Sequence, residues 1–153
     1  MAHLHDIPQP TRDAVAGLVS PGFDTTPFVT GPPLARRRVA VLSSAALIRR
    51  GELPFPPGSA ELRILPADTP AGDLLMSHVS INFDRAGFQR DINTVYPLDR
   101  LRELAVAGVI GGVARSHYSV MGATDPLAMA ETADAVAARC RDEGVDAILL
   151  CPV

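Results

Sequence analysis

The chain has 153 residues and a net charge of −3, and its 14 basic residues are all arginine. This length fits one domain with its own hydrophobic core. The weak negative charge gives no electrostatic basis for binding nucleic acid or an anionic membrane, and the lack of lysine excludes Schiff-base catalysis.

The sequence carries no signal for export or membrane insertion. No apolar run approaches the roughly 20 residues that cross a bilayer, and residues 1–6 lack the basic and apolar regions of a signal peptide. The two cysteines, Cys140 and Cys151, are too few for a disulfide framework. We therefore expect a cytoplasmic protein with free thiols.

Proline, glycine and threonine dominate the start of the chain and oppose long regular elements there. We predict an irregular N-terminal arm over residues 1–35, with a short helix near Arg12–Val19. The pattern leaves open whether this arm packs on the domain or is disordered. An α/β domain is predicted over residues 36–153.

Short apolar runs mark the first half of this domain. Val39–Leu42 is rich in β-branched residues and predicts a buried strand, and Ala45–Arg50 predicts a short helix that ends at Gly51. Leu62–Leu65 predicts a second strand. A further extended piece is expected within Leu74–Phe83, around His78–Ile81.

Two helices and a strand are indicated in the second half. Pro97 and Gly108 bracket a helix whose leucines share one face. Pro126–Glu143 predicts a second helix, ended by Gly144, and a buried strand follows at Val145–Leu150. Strands that alternate with helices predict an α/β fold of three layers, with a mostly parallel sheet and flanking helices.

The last predicted strand leads directly into Cys151–Val153. In open α/β sheets, ligands bind outside the carboxyl ends of the strands. We therefore expect a fold that is incomplete at its C-terminus, with an active-site loop starting after Val153. A strand without its covering helix leaves apolar surface exposed, so a marginally soluble or associating chain is expected.

Three parts of the sequence carry a resemblance to a known family. The middle part is the most specific, because its motif is long and unusual. The three parts are Val39–Leu47, then Asp91–Leu104 with Gly108–Gly111 and Ser116–Gly122, and finally Gly144–Val153. In these parts the chain resembles the selenoprotein B family of glycine, sarcosine, betaine and D-proline reductases.

The resemblance implies an enzyme that reductively cleaves a C–N bond in a small amino acid or amine. A selenol or thiol would act as the nucleophile, and the reaction would end in a selenenyl sulfide or disulfide. Other reductase subunits are candidate partners. The sequence has no P-loop, GxGxxG motif or metal-ligand cluster, so we expect no cofactor and no metal.

Family members place cysteine or selenocysteine at CxxC-like spacing after the final strand. The resemblance therefore implies a selenocysteine immediately after Val153, encoded by a codon that is otherwise read as a stop. A fragment, or a degenerate gene, is the alternative.

Four residues are candidate site residues. Cys151 is the expected functional thiol, in the role of resolving thiol. His78 and His117 could protonate a leaving group or stabilise a thiolate, although each could instead be a hydrogen-bonded structural residue. Arg100 could bind a substrate carboxylate, although Arg100 and Arg102 could instead be solvated or ion-paired. Cys140 lies on the apolar face of a predicted helix and is expected to be structural.

A second function fits the same pattern. The chain could be a non-catalytic binding or scaffold protein, whose partial sheet needs another chain to complete it. An in-frame UGA after the Val153 codon, followed by an open frame with a cysteine and an amphipathic helix, would favour the enzyme.

Overall fold

The computed structural model describes residues 4–17, 22, 24–26, 28–80 and 85–153. The strands are β1 Arg38–Ser43, β2 Leu47–Arg49, β3 Arg63–Pro66, β4 Leu74–Met76, β5 Gly112–Val113, β6 Ser116–Ser119 and β7 Ala147–Cys151. The helices are α1 Gln9–Ala16, α2 Ala86–Arg90, α3 Leu98–Val106 and α4 Ala130–Glu143, and short 3-10 turns lie between these elements.

Strand β1 lies at the centre of a five-stranded sheet. Strand β7 runs parallel to β1 along one edge, and β5 and then β6 run parallel to it along the other. Strand β3 lies outside β6 and is antiparallel to it. The predicted α/β class is confirmed, and the sheet is mixed.

Two core clusters lie on opposite faces of the sheet, because successive side chains of β1 alternate between faces. Val39 and Val41 belong to the first cluster, with leucines of β2, β3 and α3. Ala40 belongs to the second cluster, with Val136 and Cys140 of α4. Helices therefore flank the sheet.

The helix predictions in the second half are largely confirmed. Helix α3 begins directly after Pro97, and α4 follows a 3-10 turn at Pro126–Met129. Gly144 ends α4 in the left-handed conformation, at φ 65°. Only glycine adopts that conformation without a steric penalty from Cβ.

The predicted helix at Ala45–Arg50 is wrong. Leu47–Arg49 forms β2, which pairs antiparallel with Leu74–Met76. The backbone at Ala46 has a φ of 52°, which a helix cannot contain. Tertiary hydrogen bonds impose this geometry, since the Ala46 N–H donates to the Val120 carbonyl at 3.0 Å.

Two other local predictions shift in position. The extended piece predicted within Leu74–Phe83 is β4, which lies at the start of that range, at Leu74–Met76, and not around His78. Ile81 and Phe83 lie outside the described residues. The helix predicted near Arg12–Val19 is observed as Gln9–Ala16, and Val19 also lies outside the described residues. The division into an arm and a domain stays a prediction.

Strand β7 was predicted to be buried, and this is wrong. It pairs only with β1 among the described strands, so it forms an edge of the sheet. Ile148, Leu149 and Leu150 are 37%, 38% and 66% exposed. An apolar edge strand with free backbone groups is a template for pairing with another chain.

This exposed edge gives a testable prediction about association. The 153-residue chain is expected to self-associate, and Leu150→Lys should shift it toward monomer because a charged edge residue opposes strand pairing. Size-exclusion chromatography with light scattering measures this. The control is Val106→Lys, which changes a 92% exposed residue of α3 that lies outside the sheet. A cooperatively melting monomer for the unchanged chain would contradict the prediction.

Candidate functional site

The carboxyl ends of β1 and β7 meet at one place. Ser43 and Cys151 are register partners in the parallel pair. The Ser44 N–H donates to the Cys151 carbonyl at 3.1 Å, and the Val153 N–H donates to Ser44 Oγ at 2.8 Å. Ser44 therefore holds the segment Cys151–Val153 against the end of β1.

Small residues build the turn that follows β1. Ser43 Oγ accepts the Ala45 N–H at 3.2 Å, and Ser119 Oγ accepts the Leu47 N–H at 2.6 Å. A Cβ on Gly122 would lie 2.8 Å from the Ser44 carbonyl oxygen, which is closer than real Cβ contacts. The turn therefore requires short side chains. The hydroxyls of Ser43 and Ser119 accept backbone N–H groups of the turn that have no partner strand.

The role of Ser44 gives a second prediction. Ser44→Ala removes one partly buried hydrogen bond, worth about 1 kcal/mol, so local opening of Cys151–Val153 should become about fivefold more frequent. Faster alkylation of Cys151 by iodoacetamide is expected, measured by mass spectrometry at several pH values. The control is Ser59→Ala, because the Ser59 hydroxyl accepts a backbone N–H in an exposed loop. An unchanged rate in Ser44→Ala would count against the anchoring role.

Cys151 is half-buried and packs against the first core cluster. Burial raises the pKa of its thiol. The thiol is therefore protonated at neutral pH, and the site does not hold a preformed thiolate at this position.

Cys140 lies on the opposite face of the sheet. It is buried on α4, and its Sγ contacts the Tyr118 hydroxyl at 3.7 Å. Burial raises the pKa of this thiol as well. Cys140 therefore packs on the apolar face of a helix, as predicted.

His78 adjoins the turn after β1. The N–H of the preceding residue, Ser77, donates to the Ala46 carbonyl at 2.9 Å, and His78 Nδ1 accepts the Ser80 N–H at 3.1 Å. His78 is buried, and burial together with the charge of Arg85 lowers its pKa. A neutral imidazole near the strand ends can accept a proton and, once protonated, pass it on.

His117 lies inside β6. Its Nδ1 accepts the Val41 N–H at 2.9 Å, where the ladder between β1 and its neighbours is interrupted. The side chain is fully buried. Burial, with a smaller contribution from Arg102, lowers the pKa of His117 to about 4. A fully buried ring that accepts a backbone N–H of β1 favours a structural role for His117 over a role in proton transfer.

The structure brings some of the predicted residues together and separates others. Cys151 and His78 both adjoin the turn after β1. His117 lies on the same face of the sheet as Cys151, but β1 separates the two residues. Ser119 and Cys151 both align with Ser43, and His117 lies two residues before Ser119. Arg100 is exposed on α3 and pairs with Glu103 at 2.8 Å.

Sequence reasoning missed the anchoring role of Ser44, and it favoured Arg100 over Arg102. The small residues on both sides of Ser44 were the available signal. Arg102, and not Arg100, lines a cavity and pairs with Asp99 at 2.7 Å. Both arginines lie on one helix, so only tertiary structure separates their roles.

Within the described ranges, no helix is long and apolar enough to cross a membrane. The described His, Cys, Asp and Glu side chains likewise form no group of three that could hold a metal ion.

Comparison with known proteins shows the family of this chain. The model of the glycine/sarcosine/betaine reductase selenoprotein B family matches residues 74–152. The chain belongs to this family. The selenoprotein B match begins at β4 and reaches Pro152, so it includes His78, α3, β6 and the strand that carries Cys151.

A curated relative supports the selenoprotein B assignment. The chain is 30% identical over 115 residues to D-proline reductase subunit gamma of Acetoanaerobium sticklandii. The aligned part covers 73% of this chain and 47% of the relative, so the chain spans about half the length of that protein. No solved structure matches the chain.

Proposed function

We propose that this chain acts as a reductase subunit that cleaves a C–N bond in a small amino acid or amine, with Cys151 as one member of its redox pair. The observation that carries the proposal is the position of Cys151. It ends a parallel strand beside the turn after β1, inside the residues that match the selenoprotein B family. Ligands of α/β sheets gather at this end of the strands.

The chemistry requires two electrons and a leaving amine. The redox pair supplies both electrons and becomes a disulfide or selenenyl sulfide. The C–N bond breaks, and the two protons of the pair go one to the carbon and one to the departing nitrogen. An external dithiol then reduces the pair and returns both members to the starting state.

The raised pKa of Cys151 suits a resolving thiol better than an attacking one. A half-buried, protonated thiol is a poor first nucleophile, so the other member of the pair must ionise more readily. A selenol does so below neutral pH. Selenocysteine after Val153 therefore remains our proposal for that member, and an in-frame UGA after the Val153 codon would support it.

We propose His78 as the proton-transfer group of this site: its neutral imidazole takes a proton from the redox pair and passes it to the departing nitrogen. It lies next to Ser77, which is bonded to the turn after β1, and its pKa is lowered by burial. We leave His117 and Arg100 out of the proposed mechanism, because the first supports the β1 ladder and the second is an exposed partner of Glu103.

Other reductase subunits are the proposed partners. The relative is named as a subunit, and the free apolar edge of β7 offers a place for another strand. We propose that such a strand completes the sheet and that helices then cover both faces in three layers. The same edge favours the second candidate function, a binding or scaffold subunit.

One assay separates the two functions. The chain extended with selenocysteine after Val153, with the subunits that co-purify with it, is incubated with dithiothreitol and each of glycine, sarcosine, betaine and D-proline. Release of the amine, or ring opening of D-proline, supports the reductase. Subunit binding without turnover of any of the four substrates supports the scaffold.

A further inference from the structure

Three small polar side chains form a row across the carboxyl ends of β7, β1 and β6. Cys151 aligns with Ser43, and Ser43 aligns with Ser119. Aligned residues of neighbouring parallel strands point to the same face of the sheet, and such strands lie about 4.8 Å apart. Ser43 is therefore the neighbour of Cys151 on β1, on the face that holds the first core cluster.

The hydroxyl of Ser43 is buried and only partly used. Ser43 is 0% exposed, and its Oγ accepts the Ala45 N–H at 3.2 Å. A hydroxyl can accept two hydrogen bonds and donate one. Among the described residues, no acceptor contacts the proton of this hydroxyl. A buried donor without an acceptor is destabilising, so a state of the protein that supplies an acceptor is favoured.

The sulfur of Cys151 can supply this acceptor. Within the described part of the chain, Cys151 Sγ forms no hydrogen bond. A neutral thiol is a weak acceptor, whereas a thiolate is charged and accepts much more strongly. Both side chains are short and start from neighbouring strands, so a change of rotamer at Cys151 can bring its sulfur to Ser43 Oγ without moving the backbone.

We propose that the Ser43 hydroxyl donates a hydrogen bond to the Cys151 sulfur when that sulfur is ionised. A hydrogen bond to the charged form favours ionisation. Thiol–disulfide exchange proceeds through the thiolate, so the bond increases the fraction of Cys151 that can attack at neutral pH. This consequence rests on the proposed role of Cys151 as resolving thiol, whereas the bond itself does not.

Charged side chains of the described residues contribute nothing to the raised pKa of Cys151, which burial alone causes. Burial lowers the pKa of both His78 and His117, so both are neutral above pH 8. Tyr96, in the same core cluster, has a pKa that burial raises. Arg63 belongs to the same row but lies on β3, three strands from β7. Above pH 8, the titration of Cys151 therefore reports its own ionisation and its nearest donor.

The pH profile of Cys151 alkylation tests the bond on the 153-residue chain itself. Iodoacetamide labelling is mapped by mass spectrometry from pH 7 to pH 10.5, wherever circular dichroism shows a folded chain. Ser43→Ala should move the rise of the profile upward by about one pH unit and slow labelling at pH 8.5 about three- to tenfold, as expected for loss of a hydrogen bond to a charged group. Ser43→Thr keeps the hydroxyl and should keep the profile.

Ser119→Ala is the matched control. Ser119 is also fully buried, and its Oγ accepts the Leu47 N–H of the same turn at 2.6 Å. Ser119 lies one strand further from Cys151, so its replacement should leave the rise of the profile in place. An upward shift in Ser43→Ala alone would support the proposal. An equal shift in both variants, or no shift in Ser43→Ala, would overturn it.

If Ser43→Ala does not fold, NMR of the unchanged chain decides. The β-carbon signal of Ser43 should move with the ionisation of Cys151, and it should move further than the β-carbon signal of Ser119. An equal or smaller movement at Ser43 would overturn the proposal. Neither experiment reads turnover, so a failure of the proposed function leaves the Ser43 result intact. Absence of the bond, in turn, leaves Cys151 as a candidate redox residue.

Discussion

Acidification from pH 6.5 to pH 4 is expected to lower the free energy of unfolding by about 3 kcal/mol through His117 alone. Burial lowers the pKa of His117 to about 4 in the folded chain, whereas the unfolded value is 6.5. Between these two values the unfolded state binds more protons. The stability is therefore fully present above pH 6.5 and is lost as the pH falls toward 4.

Urea unfolding at pH 7.0 and pH 4.5 tests this prediction. His117→Gln should be less pH-dependent in this window, because glutamine can accept the Val41 N–H without titrating. The control is His5→Gln, which removes an exposed histidine. An equal pH dependence in the unchanged chain and in His117→Gln would show that His117 does not carry the effect.

In a form extended with selenocysteine after Val153, Cys151→Ser is expected to abolish turnover with a dithiol reductant. A serine hydroxyl cannot form the disulfide or selenenyl sulfide that releases the product and regenerates the site. Product formation is measured in the complex with its co-purifying subunits. Stability should change little, because the exchange replaces one atom of a half-buried side chain.

The matched control for this substitution is Cys140→Ser. Cys140 is buried against Tyr118 on the other face of the sheet, so its replacement should leave turnover intact at a temperature where the variant is folded. Full turnover in Cys151→Ser would show that another residue is the resolving thiol. Loss of turnover in both variants with a shared loss of folding would indicate a structural effect.

Local pattern predicted the elements whose reasons are local. Helix α3 follows Pro97, α4 ends at Gly144, and β1 is a short β-branched run. The helix predicted at Ala45–Arg50 failed because partners distant in sequence decide that conformation. Ser119 Oγ and the Val120 carbonyl bond the N–H groups of Leu47 and Ala46 and direct this segment into β2.

The burial of β7 could not be predicted from its composition. An apolar run is typical of a central strand, but strand order decides whether a strand has one neighbour or two. The candidate site was likewise predictable only where its reasons are local. The position of Cys151 at a strand end followed from the apolar run that precedes it. The anchoring of Cys151–Val153 by Ser44 joins residues 109 positions apart in the sequence, and no local pattern indicates such a contact.

The central claim is that Cys151 is the functional thiol of this reductase-family chain. Brief iodoacetamide labelling of the native protein, mapped by mass spectrometry, tests it most directly, because reactivity follows exposure and thiolate fraction. We predict that Cys151 is alkylated faster than Cys140, which is 7% exposed and bonded to Tyr118. Labelling of Cys140 at an equal or higher rate in the folded protein would contradict the account.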